Sequence, residues 1–138
     1  MSSPNGQEFE PIDLDAALTP HDVDRYLRKL HNELYVAERA LRESRIKEIQ
    51  ALKAYSEEKQ PLLLDPECPD TSRSGVTLTA QEEWISGRIP DLYWAYKGAK
   101  VVRMNAQSYA KRLDSQIKCL QSINSIVKQM YDLAGRRG

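Results

Sequence analysis

From Leu92 to Ala134 the chain repeats an apolar residue on alternating three- and four-residue steps, and this pattern restricts the possible folds most. The series reads Leu92, Ala95, Ala99, Val102, Ala106, Tyr109, Leu113, Gln116, Leu120, Ile123, Val127, Met130 and Ala134, with Gln116 its polar member. Kept over about six heptads, such a seam predicts a long helix laid against other helices, since alone it would leave an apolar stripe in water. Val101, Met104, Ile117, Ile126 and Leu133 lie off the seam and predict a second contact surface. The expected outcome is a homo-oligomer whose interface uses Val102, Tyr109, Leu113, Gln116, Leu120, Ile123, Val127 and Met130. Gln116 would select register or stoichiometry, the usual role of a polar residue on a seam.

A second periodic segment precedes it. Thr19-Pro20-His21-Asp22 reads as a helix start, with Thr19 as N-cap and Pro20 at the first helical position. Val23, Leu27, Leu30, Leu34, Ala37 and Leu41 then alternate by four and three. Arg45 and Glu48 take the next places before Leu52 and Tyr55 resume the stripe. That Arg-Glu pair reads as a solvated salt bridge or as an interior polar patch. Pro61 sets the expected stop near Lys59.

Between the two segments stand Pro61, Pro66, Pro69, Gly75 and a polar run from Asp70 to Ser74, with Leu62, Leu63 and Leu64 expected to tuck against a neighbour. Thr79-x-x-Glu82 has the form of a capping box and predicts a new helix start. Near Pro90 two outcomes stay open: a short helix ending about Arg88, or one long helix kinked at the proline. Trp84-Ile85-Ser86-Gly87 reads as packing near that break. The expected fold class is all-α, an elongated antiparallel helical hairpin oligomerising through coiled-coil-like seams. Its parts are a tail over 1–18, a helix over 20–59, a connector over 60–78 and a helix over 80–134, so that 19–138 is one hairpin domain.

Composition narrows the function. No run approaches the roughly 18 unbroken apolar residues of a membrane span, so no membrane partner is expected. Residues 1–10 carry no basic residue and no apolar core, which argues against a secretory signal. Cys68 and Cys119 allow at most one bridge, and with His21 and His31 they lack ligand spacing; no metal or cofactor is expected, and a reducing interior suits the chain. No phosphate-cradling glycine loop, nucleophile turn or isolated carboxylate pair occurs, so no catalytic residue is assigned and the chain reads as a non-enzyme.

The net charge of zero conceals an asymmetry. Residues 1–24 hold six acids and no Lys or Arg, residues 25–59 nine basic against six acidic, and residues 91–138 nine against three. Basic helices with an acidic tail suit a polyanion-binding body. The tail, with sparse Phe9, Ile12, Leu14 and Leu18, is expected to be disordered until something binds it. Candidate phosphate contacts are Arg39, Arg42, Lys47 and Lys53 on the first helix and Lys97, Lys100, Arg103, Lys111, Arg112 and Lys118 on the second. Tyr93, Trp94 and Tyr96 stand ready to stack on unpaired bases. The plainer reading of the same charges is a solvated helix face.

Ile49-Gln50-Ala51-Leu52-Lys53-Ala54-Tyr55 resembles the "LKAR" stretch of the phage UvsY-type recombination mediators. Ile117-Lys118, Ile126 or Val127, Met130 and Ala134-Gly135 resemble that family's closing stretch. The resemblance spans roughly residues 40–135, and Tyr55 stands where the family has Arg, so Lys53 alone carries over as a DNA contact. It implies a homo-oligomeric ring that binds single-stranded DNA in the cytoplasm of a phage-infected host. There it would help a recombinase displace a single-strand-binding protein. The other reading is a phage structural or assembly protein that oligomerises through its helices without nucleic acid.

Overall fold

A computed structural model of the protein describes residues 19–73 and 75–137. Three helices account for most of them: α1 (Pro20–Leu63), α2 (Leu78–Arg88) and α3 (Pro90–Arg137), with no strand among the described residues. The acidic tail over 1–18 lies outside the described residues.

The helix ends follow local chemistry. Thr19 caps α1 as expected: its Oγ1 accepts from the Asp22 amide at 3.1 Å, while its own amide and hydroxyl donate to Asp22 Oδ2 at 3.2 and 2.9 Å. These bonds stabilise the ionised carboxylate and hold Asp22 below the usual carboxylate range. α1 runs past Lys59 to Leu63 and carries Pro61 in its last turn. A proline so close to the end disturbs only the closing hydrogen bonds, so termination lags it by two residues.

The cap of α2 is Thr77 rather than Thr79; Thr77 Oγ1 accepts from the Ala80 amide at 3.1 Å and the helix opens at Leu78. Thr79 therefore sits inside the first turn. At Pro90 the alternatives resolve into two helices. Ile89, at φ −130° and ψ 60°, leaves the helical region and closes α2, and Pro90 opens α3. A residue before proline avoids helical geometry, and proline suits a first helical position. α3 continues through Gly135 to Arg137.

The chain divides into two units. Unit 1 comprises Met1–Arg42 and Asn105–Gly138, and unit 2 comprises Glu43–Met104. In unit 1, Val23, Leu30, Ala37 and Leu41 of α1 pack with Ala110, Leu113, Ile117 and Leu120 of α3, flanked by Tyr26, Leu27, Leu34, Ala106, Tyr109 and Ile123. Each fully buried leucine contributes about 1.5–3 kcal/mol of transfer free energy. Over Val23–Leu41 the α1 stripe is thus the one its spacing predicts, whereas Leu52, expected to resume it, is 40% exposed and Glu48 turns to Arg103.

The α3 stripe differs in half its members. Leu113 and Leu120 are buried in this core, but the intervening buried positions are Ala110 and Ile117, whereas Gln116 is exposed and Tyr109 half-buried. Two columns complete the same stepping from Ala106, Leu113, Leu120 and Val127. The packed one is the column that turns toward α1.

Unit 2 is held differently. Its buried residues are Ser44, Tyr55 and Ile85, the last from α2. Glu48 Oε2 accepts from Arg103 Nε at 2.6 Å and Glu48 Oε1 from Arg103 Nη2 at 3.3 Å. Tyr55 stacks on Tyr96 with centroids 6.0 Å apart and meets Tyr93 at a tilt. Glu48 meets Arg103 while Tyr55 meets Tyr93 and Tyr96, so α1 and α3 run antiparallel here. The connector returns by side-chain turns: Asp65 Oδ1 accepts from the Glu67 amide, Asp70 Oδ1 from the Ser72 amide, and Gly75 takes φ +88°, where a side chain would be strained. Gln81 Nε2 donates to the Pro69 carbonyl at 3.0 Å and Arg88 pairs with Glu67 at 3.1 Å, tying the connector to α2. Of the three leucines expected to tuck in, Leu62 and Leu63 are half-buried and Leu64 is exposed.

Candidate nucleic-acid interface

The ten basic candidates separate by unit and by partner. In unit 2, Arg103 is committed to Glu48, and both side chains are largely buried, at 24% and 17% exposure. The Arg103 hydrogen bond, then its charge, holds the Glu48 carboxyl below the usual range, and Glu48 raises Arg103 in turn. Lys97 pairs with Glu82 at 3.7 Å and lies over the Tyr93 and Tyr96 rings at 5.4 and 5.9 Å. Lys53 pairs with Glu57 at 3.9 Å along one helix face, both well exposed; such a pair contributes little to stability. Lys100 is half-buried and Lys47 exposed. Of the three aromatic candidates, Tyr93 and Tyr96 pack against Tyr55, and Trp94 remains exposed.

Unit 1 carries the others: Arg39, Arg42, Lys111, Arg112 and Lys118, all exposed. Lys118 pairs with Asp114 at 3.0 Å along α3. Its helices also bring in Arg25, Arg28, Lys29 and Lys128, which were not among the sequence candidates. Over its described residues, unit 1 holds eleven Lys and Arg against six Asp and Glu, whereas unit 2 holds nine against ten. Among the described residues the excess positive charge is therefore confined to unit 1.

A flank can be defined within unit 1. Tyr109 donates its hydroxyl to Glu33 Oε2 at 3.2 Å, which marks one side of the α1–α3 packing. Burial, then the Glu33 charge, pushes the Tyr109 hydroxyl above its ordinary pKa. With about 3.6 residues per turn, Glu33 falls to one side of the Leu30–Leu34–Ala37–Leu41 stripe, and Arg28, Tyr35 and Arg42 fall to the other. On α3 the same geometry sets Tyr109 and Gln116 on one side of Leu113 and Ile117, and Lys111 and Lys118 on the other. Both basic groups thus lie on the side away from the Glu33–Tyr109 bond, each turned toward the outward face of its own helix. Tyr35 stands among them at 69% exposure, seven residues from Arg28 and from Arg42.

This arrangement offers cations at helical intervals and an exposed ring, which suits a strand of phosphates with an unstacked base. Among the described residues no cluster of His, Cys, Asp and Glu has metal-holding geometry, and both cysteines are free. No described helix is long and apolar enough to cross a membrane. Tyr35 and Arg28 escaped sequence reasoning because their value depends on which flank α3 occupies; the seven-residue spacing of Arg28, Tyr35 and Arg42 was the available signal.

The interface candidates also divide. Leu113 and Leu120 are consumed by the unit 1 core, Tyr109, Ile123 and Val127 are half-buried, and Val102, Gln116 and Met130 are exposed. No protein-family model, curated protein or solved structure matches the chain.

Proposed function

We propose that this protein is a non-enzymatic accessory factor that binds single-stranded DNA along the basic flank of unit 1, through Arg28, Arg42, Lys111 and Lys118, with Tyr35 as a stacking platform. The observation that carries this reading is the positive excess among the described residues of unit 1, on a side that also exposes an aromatic ring. Neutralising phosphates there releases counterions and needs no reaction chemistry. The role in recombination, loading a recombinase against a single-strand-binding protein, rests on the UvsY-like stretches of sequence, as does the phage-infected cytoplasm as its location. A ring of copies would multiply weak contacts into useful avidity.

The test is anisotropy of a labelled oligothymidine across a salt series. Four phosphate contacts predict a log–log salt slope of about −3, at about −0.7 per contact on single strands. Changing Arg28, Tyr35 and Lys111 together to Ala flattens that slope by about 1.4 and weakens binding more than tenfold in low salt. The matched unit 2 variant, Lys47→Ala with Lys53→Ala, leaves binding within about twofold, because surface charges outside a site act only through screened long-range fields. Absence of binding in low salt, or equal losses from both variants, overturns the assignment.

A second reading has its own observation. In unit 2, Val102 and the neighbouring Val101 and Met104 are exposed apolar residues on α3, as an assembly surface requires. Native mass with and without oligonucleotide separates the two: oligomers without DNA binding favour assembly alone.

A further inference from the structure

The unit 1 part of α3 carries two apolar lines. Leu113, Ile117 and Leu120 turn toward α1 and are buried in the core. About a third of a turn around the helix stands a second line, Cys119, Ile123, Ile126, Met130 and Leu133, which again steps by four and three. Ile123 is half-buried at the edge of the core and Cys119 is exposed, while Ile126, Met130 and Leu133 are 57, 63 and 54% exposed. This line points away from α1, so the length of α1 has no bearing on its exposure. Charge sorts the same way. From Leu113 to Ala134 the charged residues are Asp114, Lys118, Lys128 and Asp132, and each lies at least about 100° around the helix from the middle of the outward line. Lys118 and Asp114 pair with each other there. The outward line is bordered instead by Ser115, Gln116, Ser122 and Gln129, all uncharged.

We propose that a second copy of this chain covers the outward line, with the two α3 ends packed antiparallel. Charge selects the occupant. An apolar line without bordering cations offers nothing to an anionic membrane or a nucleic acid, and it gives a charged helix nothing to pair with. It fits a neutral helix of the same four-three spacing, because matched knobs and holes need matched steps. A second copy presents that spacing and brings no like charges to the line. Charge also selects the orientation. Parallel pairing sets each position against itself, so Arg112, one heptad before Cys119, would meet the other Arg112. Antiparallel pairing avoids this and opposes the two helix dipoles. Setting Ile123 against Leu133 and Ile126 against Met130 then gives four apolar layers, whereas a slide of one heptad would bury Gln116 against Leu133. At about 15 Å the contact is too short to bury the roughly 800 Å² per partner of a standard stable interface, so the pair is weak and follows concentration.

The experiment is disulfide cross-linking of the full chain without nucleic acid. In a Cys68→Ser, Cys119→Ser background, one protein carries Ile123→Cys and the other Leu133→Cys. Mixed under mild oxidation they form a covalent heterodimer, while neither does so alone. Each variant's own two cysteines lie about 15 Å apart across the pair, and a disulfide needs Cα atoms within about 7 Å. Sedimentation gives a second readout: the natural protein gains mass as its concentration rises, and Val101→Glu in unit 2 does the same. Met130→Glu stays monomeric with its helix content unchanged, because a charge enters the line but not the core. No cross-link in the mixture, or equal cross-linking of each variant alone, overturns the proposal. So does a Cys119 disulfide between copies of the Cys68→Ser protein, which would make the pair parallel. Association lost in Val101→Glu but kept in Met130→Glu also overturns it and moves the interface to unit 2. Neither readout involves nucleic-acid binding, so the two proposals stand or fall separately.

Discussion

Unit 1 and unit 2 draw on the same two long helices yet are stabilised by different physics. The described residues of unit 1 include eight buried apolar residues in one cluster and carry an excess of positive charge. Unit 2 buries one large aliphatic residue, Ile85, and relies on the Glu48–Arg103 ion pair, the Tyr55–Tyr93–Tyr96 stack and connector turns. The switch falls where α1 passes from Leu41 to Ser44 and Glu48, so an unbroken helix does not imply a uniform core. Apolar packing leaves its cations around the rim, exposed to solvent, where Lys118 pairs with Asp114 along α3. A polar core instead consumes them, and Arg103 and Lys97 are its examples.

The contrast breaks most severely at Leu120. Truncation to Ala removes a side chain with 2% exposure from the unit 1 cluster and costs about 2–5 kcal/mol. Leu120→Asp costs more, because a carboxylate enters an apolar site without a partner. In unit 2 the exposed Ile49→Ala stays within about 0.5 kcal/mol. Urea melts of the three variants check this. If Ile49→Ala instead destabilised the protein in a concentration-dependent way, its face would be covered by another molecule, and the two units would differ less than they do here.

How much of this was legible beforehand follows the same division. The α1 stripe and the Thr19 cap were readable because local spacing and residue type determine them. The α3 stripe was readable only to within one column, since Tyr109–Gln116–Ile123 and Ala110–Ile117–Asn124 complete the same three-four stepping from shared members. Only the position of α1 separates them. The partner of Arg103 was invisible for a related reason: Glu48 lies 55 residues away, and no periodicity links the two. Thr77 and Thr79 both offered a cap hydroxyl, and the connector's turn geometry chose between them. Pro90 was seen as a break, but its role as the first residue of α3 depends on Ile89 leaving the helix.

The Glu48–Arg103 pair sharpens the comparison through pH. Glu48 titrates below an unperturbed glutamate because Arg103 donates to its carboxylate. A lowered folded-state pKa means that its stabilisation is complete above the unfolded-state value, about 4.3, and is lost as pH falls through and below it. Glu48→Gln therefore melts earlier than the natural protein at pH 7, and the two midpoints converge toward pH 2. Urea midpoints at several pH values read this directly. A gap that persists at pH 2 would show that glutamine disturbs packing rather than charge. Asp22 adds an acid loss of the same sign in unit 1, through its bonds with Thr19.

The hydroxyl of Tyr55 offers the most diagnostic test of unit 2. The Tyr55 hydroxyl is buried without a hydrogen-bond partner, and burial, followed by the Glu82 charge, pushes its pKa above the ordinary tyrosine value. A hydroxyl that loses water and gains no partner is a net cost, so its removal is favourable or neutral. Tyr55→Phe keeps the ring against Tyr93 and Tyr96 and should raise stability by up to about 1 kcal/mol. Tyr55→Ala removes the ring and should cost about 3–5 kcal/mol, the range for a large aromatic core residue. Denaturant midpoints on the pair decide whether the ring or its oxygen holds unit 2 together. A loss from Tyr55→Phe comparable to that from Tyr55→Ala would mean that the oxygen bonds to something, and unit 2 would then be a hydrogen-bonded core rather than a stacked one.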